Sequence, residues 1–390
     1  MMAQSVCVAR DGKNRELELR SFMLTTLFWL AAAALSSIII WKATDPFSDA
    51  SHYLGRNIPP SVRGATIDAV ASSLPELFAT FLFLMVYGEY ASGIATVAGS
   101  AIYNMLVIPG VCALIARSLT VSKEVVWRDG VYYLLSQIVL IGFLVLGELT
   151  WVSALVLIAM YVVYVFWLHR DAVSYQKGRQ AEHEKLVQAD IDVSAPDHDH
   201  EAQPDDEKGN APQQDDERNQ DNQDQPLGVT RPWTVRRAWT VVALSALVVA
   251  GSCQLLVTSC VRLSVQWEVP AYFIAVVLAA AATSVPDTVL SIFSTLKGDD
   301  SGAVSNAFGS NIFDINIGLG LPLLYYTVTT GKAIHIAGPG LTNLWLVLLA
   351  ASGISLVIFG KQYRLGRVKA GLMLLVYVGF VTYVVLTAHH

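Results

Sequence analysis

The stretch whose reading decides the fold is "AAATSVPDTVLS", residues 280–291. Inside a long apolar run it sets Pro286 directly beside Asp287. Proline breaks helical hydrogen bonding, and a carboxylate at membrane depth is costly. The surroundings establish that depth. The 390 residues are 54% hydrophobic and 15% charged, with a mean hydropathy of +0.47. These values are ordinary for a polytopic membrane protein and unusual for a water-soluble one. Apolar runs of about 18 residues or more read as spanning helices. Ten such runs occur, near 22–41, 62–88, 93–116, 130–147, 151–168, 238–262, 271–296, 302–328, 341–359 and 368–388. None alternates with a period of two, which excludes barrel strands. The expected fold is an all-α polytopic membrane protein of ten transmembrane helices.

The stretch has a near-copy. "ASSLPELFATF" at 71–81 matches "ATSVPDTVLSI" at 282–292, and "VAGSAIYNMLVIPG" at 97–110 matches "AFGSNIFDINIGLG" at 307–320. Pro75 and Pro286 are 211 residues apart and Gly99 and Gly309 are 210 apart, so the register slips once, in the intervening loop. Five spans separate equivalent helices. Because five is odd, the copies must run in opposite senses through the bilayer, an inverted-topology repeat of the kind used by secondary transporters. The expected organisation is a tail at 1–21, a five-helix repeat at 22–168 with its motif at 63–113, a linker at 169–236, and a second five-helix repeat at 237–390 with its motif at 274–323.

The linker differs from the rest. From Glu182 to Asp224 it carries acids such as "PDDEKGN" and "QQDDERNQDNQDQ", few apolar residues and no aromatic. Such a segment cannot bury enough surface to offset its ordering entropy, so disorder is expected. It accounts for much of the formal charge of −6. Its "DHDHE" at 197–201 reads as solvated linker rather than a metal site. The four cysteines, Cys7, Cys112, Cys253 and Cys260, form no metal-spaced cluster and read as small hydrophobes. Residues 22–40 are too long for a usual signal core and read as the first helix. Basic residues place one set of loops in the cytoplasm. Arg56, Arg117, Lys123, Arg128, Arg170, Arg236, Lys297, Arg364 and Arg367 lie on that side, against Arg262 and Lys332 opposite. The termini are then outside and the linker is cytoplasmic; the N-terminal tail, with four basic residues, is the one dissenting segment.

The repeated motifs have a chemistry. Pro75 and Pro286 lack the amide that would hold the carbonyls of Ala71 and Ala282, and Glu76 and Asp287 place a charge beside that loosened backbone. Ser72, Ser73, Thr283 and Ser284 add hydroxyls in the same turns. Ser100 and Asn104, like Ser310 and Asp314, are four apart and share a helical face. Gly99 and Gly309 allow close helix approach. Serine, threonine and asparagine at such spacing are often packing groups that bond back to the helix. The carboxylates are another matter, each costing about 2.5–3.5 kcal/mol on insertion scales and functional by default. Glu76, Asp287 and Asp314 therefore read as cation ligands in an all-oxygen site. Asp68, whose counterpart is Ala279, reads as a structural or vestibule group that could pair with Arg63. Asp299 and Asp300 read as solvated loop residues.

At "SSLPEL…GSAIYN" and "TSVPD…GSNIFDI" the chain resembles the calcium/cation antiporter superfamily, the sodium/calcium exchangers. The similarity covers the whole ten-span layout, including the insert between spans five and six. The resemblance implies a central site with alternating access, ligands at Ser72, Ser73, Glu76, Ser100, Asn104, Thr283, Ser284, Asp287, Ser310 and Asp314, and a sliding gate formed by the spans at 22–41 and 238–262. The aspartate of "GSNIFDI" resembles the potassium-dependent branch, while Ala71 and Asp68 depart from it. Three ionised carboxylates balance Ca2+ plus K+, although protonation of one would also balance the site. The expectation is a transporter and not an enzyme, needing no cofactor, that exchanges Ca2+ for Na+ with or without K+. A proton-driven Ca2+ exchanger is the alternative. Partners are these ions and the lipid bilayer, with no nucleic acid, and the unit is expected to work as a monomer in the plasma membrane. No Gly-x-Gly-Asp, His-Glu-x-x-His or carbonyl-filter sequence supports an intramembrane enzyme or channel.

Overall fold

The structure is a computed structural model that describes the backbone of residues 2–55, 67, 69–123, 125–170, 233–336, 340–360 and 362–387, with side chains from residue 18 onward apart from His52, and that of Glu16. Asp68, Arg63, "DHDHE" and almost all of the acidic linker lie outside these residues, as does the side chain of Cys7.

The described chain is helical. In order it forms α1 (Met2–Leu54), α2 (Ala69–Ser72), α3 (Leu74–Met85) and α4 (Tyr90–Ile115). Then follow β1 (Ser118–Thr120), a widened π turn at Val125–Asp129 leading into α5 (Gly130–Val145), β2 (Glu148–Leu149) and α6 (Trp151–Arg170). The second half comprises α7 (Val235–Trp267), α8 (Ala271–Thr283), α9 (Val285–Leu296) and α10 (Asp300–Thr330). It closes with β3 (Ile334–His335), α11 (Gly340–Gly360), β4 (Arg364–Gly366) and α12 (Arg367–Thr387). Among the described residues eight helices are long and apolar enough to cross a membrane, or nine if the α8–α9 pair counts as one span. The expected run at 62–88 appears as α2 and α3, of which α3 is a shorter apolar helix.

The two Pro-carboxylate runs are therefore not continuous helices. Ser73 (φ −94°, ψ 7°) and Ser284 (φ −80°, ψ 5°) each leave the helical region, and α8 and α9 meet at a 41° bend. The cause is local. A proline two residues on has no N–H to give the previous turn, so the helix ends and restarts with proline in its first turn, where that missing donor costs nothing.

α4 lies at the centre, most of its length buried against α3, α8, α9, α10, α11 and α12. It comes close to α8 at Gly99, where an added Cβ would lie 2.0 Å from the Val276 carbonyl oxygen. That residue sits in a π turn of α8, Ala275–Ala279. α1 and α7 lie side by side, and Ala33, Ile40, Val249, Cys253, Leu256 and Leu263 share a second core with residues of α3 and α8. Gln266 fastens the pair: its Nε2, with two protons to give, lies 2.7 Å from Phe22 O, 2.8 Å from Thr25 Oγ1 and 2.7 Å from Thr26 Oγ1. Two short antiparallel ribbons tie the halves: Leu119 pairs with Leu365, and Leu149 with Ile334. Large apolar side chains such as Leu146, Leu247 and Val385 are exposed on the outer helix faces, a surface suited to hydrocarbon rather than water.

Asp299 and Asp300, expected to be merely solvated, have structural work. Asp299 Oδ1 accepts from Gly302 N (2.7 Å) and caps α10, while Asp300 Oδ2 accepts from Thr120 N (2.9 Å) and straps α10 to β1. Asp129 was not singled out by sequence, yet it is fully buried. Its oxygens accept from Arg128 (2.7 and 3.1 Å), Tyr164 (3.1 Å) and Ser305 (3.4 Å), joining α5, α6 and α10. Removing the Asp129 carboxyl leaves buried Tyr164 and half-buried Arg128 and Ser305 without their acceptor, at about 1–3 kcal/mol. Asp129→Ala is expected to lose stability on that scale, read as a lower melting temperature of the purified protein. An unchanged melting temperature would contradict it.

Candidate ion-binding site

The two broken runs bring the expected residues to one place. Ser73, Glu76, Ser100, Asn104, Thr283, Ser284, Asp287, Ser310 and Asp314 are all fully buried, and Ser72 nearly so. They come from α2–α3, α4, α8–α9 and α10, so both copies of each motif contribute.

Partnerships cross between the motifs. Glu76 Oε1 accepts from Ser284 Oγ (3.2 Å), and Asp287 Oδ1 accepts from Ser310 Oγ (2.8 Å), which lies 3.3 Å from Ser72 Oγ. Ser100 Oγ is the junction: it lies within 3.3 Å of Glu76 Oε1, 3.4 Å of Asp314 Oδ2 and 2.9 Å of Ser284 Oγ. Asn104 Nδ2 donates to Asp287 Oδ2 (3.1 Å) and to Asn311 Oδ1 (3.1 Å). The bland reading of the hydroxyls is partly met as well. Thr283 donates to Ala280 O (3.2 Å) and Ser72 to Ala69 O (3.4 Å).

Acceptors outnumber donors here. The one proton of Ser100 cannot serve two carboxylates at once. Glu76 Oε2, Asp314 Oδ1 and Asn104 Oδ1 have no hydrogen-bond partner among the described residues, and the only site hydroxyl left equally unpartnered is Ser73 Oγ. No basic side chain among them pairs with Glu76, Asp287 or Asp314. Buried polar groups are almost always satisfied, and unpaired buried charge is far costlier than an unpaired dipole. An oxygen-only cluster of three carboxylates without a counter-charge is chemically complete only with cations or protons. Among the described residues no three acidic, histidine or cysteine side chains converge on one point. Hydroxyls and amides separate the carboxylates, as a mixed-oxygen cage for hard cations requires.

Two participants escaped the sequence reading. Asn311 bridges Asn104 and the Ala101 carbonyl (3.2 Å). Asn306 donates to Ser291 (3.2 Å) and to the Asp287 carbonyl (3.5 Å). The available signal was their position: Asn311 adjoins Ser310, and Asn306 lies one turn before it. Cys112, Cys253 and Cys260 are buried and free, as small hydrophobes would be. Cys253 is nonetheless placed with its sulfur 3.5 Å from the Pro75 carbonyl oxygen.

A family model described as "Sodium/calcium exchanger protein" matches residues 12–169 and 237–386. Sodium/potassium/calcium exchanger 4 of Mus musculus is 43% identical over 111 residues, 28% of this chain but only 18% of that protein's length. Sodium/potassium/calcium exchanger 5 of Homo sapiens is 26% identical over 380 residues, covering 83% of this chain and 75% of that one. Two solved structures share the fold. The H+/Ca2+ exchanger CAX has a TM-score of 0.63 at 13% identity, covering 94% of this chain and 87% of its own. The sodium-calcium exchanger NCX_Mj has a TM-score of 0.56 at 19% identity, covering 92% and 99%. With the model match spanning both halves and the apolar helices between them, this multi-pass membrane chain belongs to the sodium/calcium exchanger protein family.

Proposed function

We propose that the protein is a secondary active antiporter that exchanges Ca2+ for Na+, with or without K+, by alternating access at the buried carboxylate and hydroxyl site. The observation that carries this reading is the acceptor excess around Glu76, Asp287 and Asp314. Neutral oxygens outnumber the carboxylates, which suits alkali ions alongside a divalent one; a site for protons alone needs no such shell. The ten residues named from sequence form the ion site, with Asn311 holding Asn104 in place. The chain then has ten spans in two inverted five-helix repeats, with α2–α3 and α8–α9 as equivalent broken spans around a midplane site. α1 and α7 slide together as the gate, a role that fits their mutual fastening through Gln266. The termini lie outside and the acidic linker in the cytoplasm, in the plasma membrane, and one chain is the working unit.

A Ca2+/H+ exchanger is the second reading, favoured by the fold likeness to CAX. In it one of the three carboxylates takes the proton that leaves the neutral shell unused. Proteoliposomes separate the two. Ca2+ uptake into Na+-loaded vesicles is expected to exceed uptake into vesicles holding K+ alone or carrying only a pH gradient. Equal uptake driven by protons without Na+ would overturn the sodium reading. In the same assay Asp314→Asn is expected to reduce any K+ requirement, and an unchanged K+ response would remove the assignment to the potassium-dependent branch that rests on Asp314.

A further inference from the structure

Two tyrosine contacts stand at one end of the ion site and have no match at the other. Just past α3, Tyr87 Oη lies 2.6 Å from Thr258 Oγ1 of α7 and accepts from Gln254 Nε2 of the same helix (2.9 Å). The proton order is fixed. Thr258 Oγ1 donates to the Gln254 carbonyl (2.6 Å), which can only accept, so Tyr87 gives its own proton to Thr258. Gln254, Tyr87 and Thr258 thus form a chain that returns to the residue it started from. Three residues on, Tyr90 opens α4, and its Oη lies 2.9 Å from Tyr326 Oη near the end of α10. α10 leads into β3, so both contacts belong to the β2–β3 end. Tyr87, Tyr90 and Tyr326 are 11, 10 and 12 residues from Glu76, Ser100 and Asp314. At 1.5 Å per helical residue all three stand at one level, roughly 15–18 Å beyond the site.

The second copy of the repeat lacks both contacts. Tyr87 corresponds, 211 residues on, to Gly298, which has no side chain to bond; Tyr90 and Tyr326 correspond, at an offset of 210, to Asp300 and Ala116. Asp300 is engaged elsewhere, with the Thr120 amide. Among the described residues, α7 hydrogen-bonds to groups outside itself and α1 through Cys253, Gln254 and Thr258. The rest of its contact with α3 and α8 is the apolar core around Val249, Leu256 and Leu263. Apolar contact is non-directional and lets helices shift, whereas a hydrogen bond holds only one geometry.

We infer that Tyr87, with Gln254 and Thr258, and Tyr90, with Tyr326, form a one-sided clasp that holds the β2–β3 end of the ion site shut. It rests on the exchanger reading for the face it controls, which is outside in the orientation proposed above. The access states of an inverted repeat differ by an exchange of roles between its halves. A clasp present in one half only therefore biases access towards the β1–β4 end, and Tyr87 and Tyr90 are positioning residues, remote from the ion.

The test pairs two measurements on the full-length protein. In lipid nanodiscs, alkylation of Cys253 by N-ethylmaleimide is followed by mass spectrometry. This buried thiol adjoins Gln254 and lies 3.5 Å from the Pro75 carbonyl oxygen, so it reacts from the fraction in which α7 has left α3. In proteoliposomes of one orientation, the Ca2+ concentration for half-maximal exchange is measured at each face. Tyr87→Phe removes the hydroxyl alone. It is expected to speed Cys253 alkylation about fivefold, the shift that one net hydrogen bond gives. Half-saturating Ca2+ is expected to fall about threefold at the β2–β3 face and to change less than about twofold at the other, as the fraction open to the first face rises. Equilibrium Ca2+ binding in nanodiscs, where both faces are reached, is expected to stay within about twofold of wild type, which a loss of folded structure would not allow. Thr258→Ser, which keeps the hydroxyl, is expected to behave as wild type. Thr258→Val breaks the same chain and serves should Tyr87→Phe fail to fold. Unchanged alkylation in Tyr87→Phe and Thr258→Val, or equal shifts of half-saturation at the two faces, would overturn the clasp. Absence of Ca2+ exchange by the wild type would instead sink the exchanger reading, and the alkylation measurement then decides the clasp by itself.

Discussion

Replacement of Asp287 by asparagine is expected to reduce Ca2+ exchange by about 100-fold or more while the protein still folds. The charge term is large: a unit charge at a ligand distance of about 2.5 Å from a divalent ion is worth roughly 13 kcal/mol at an effective dielectric near 20. Dehydrating the ion offsets most of this, but a remainder of about 3 kcal/mol already means a factor near 100. The fold tolerates the change because the amide oxygen can keep the bond from Asn104 Nδ2 while the new Nδ2 donates to Ser310 Oγ, a hydroxyl that can also accept. Glu76→Gln is expected to behave in the same way, since its single bonded oxygen receives only neutral hydroxyls. Uptake of 45Ca2+ by proteoliposomes, beside size-exclusion profiles of the variants, checks both halves of the claim. Exchange within about twofold of wild type in either variant would remove the carboxylates from the ion site.

Gly99→Ala should instead damage the structure. A Cβ there would meet the Val276 carbonyl oxygen at 2.0 Å, the Val276 carbonyl carbon at 2.8 Å and Ala280 Cβ at 2.7 Å. These are backbone atoms of a π turn and a short side chain with no rotamer to change, so α4 and α8 must move apart. Overpacking of this kind costs about 1–3 kcal/mol, and a rigid backbone wall puts it at the upper end. Separation also displaces Ser100, the neighbouring junction of Glu76, Asp314 and Ser284, so exchange should fall with stability. Gly142→Ala is the control, because an added Cβ there meets nothing within 4 Å. Equal melting temperatures for the two variants would show that the α4–α8 contact is not tight.

What could be read from the residues alone was local or repeated. Hydropathy marked the helices because about 20 apolar residues are needed wherever a chain crosses hydrocarbon. The breaks at Ser73 and Ser284 were implicit in Pro75 and Pro286, because a missing amide acts within one turn. Glu76, Asp287 and Asp314 stood out because charge in an apolar run is costly before any partner is known. Gly99 was marked as a point of close approach, although nothing local named Val276 as its neighbour.

Pairing across the chain was beyond that reading. Ser100 meets Ser284 across 184 residues, Asn104 meets Asn311 across 207, and Gln137 meets Ser352 across 215. Asparagine, glutamine and tyrosine in an apolar run look alike whether they pack, bond back to their own helix or face a cavity. Nothing in the sequence singled out Asp129, whose partners Tyr164 and Ser305 lie 35 and 176 residues away. The sequence by itself determined that this protein is helical, that it carries one motif twice and that three carboxyl side chains fall within apolar runs, since those properties belong to single segments and their spacing. Only the tertiary structure decided which hydroxyl serves which carboxylate and which oxygens are left without donors. Those outcomes depend on how whole helices face one another, and that is set by packing among all of them at once.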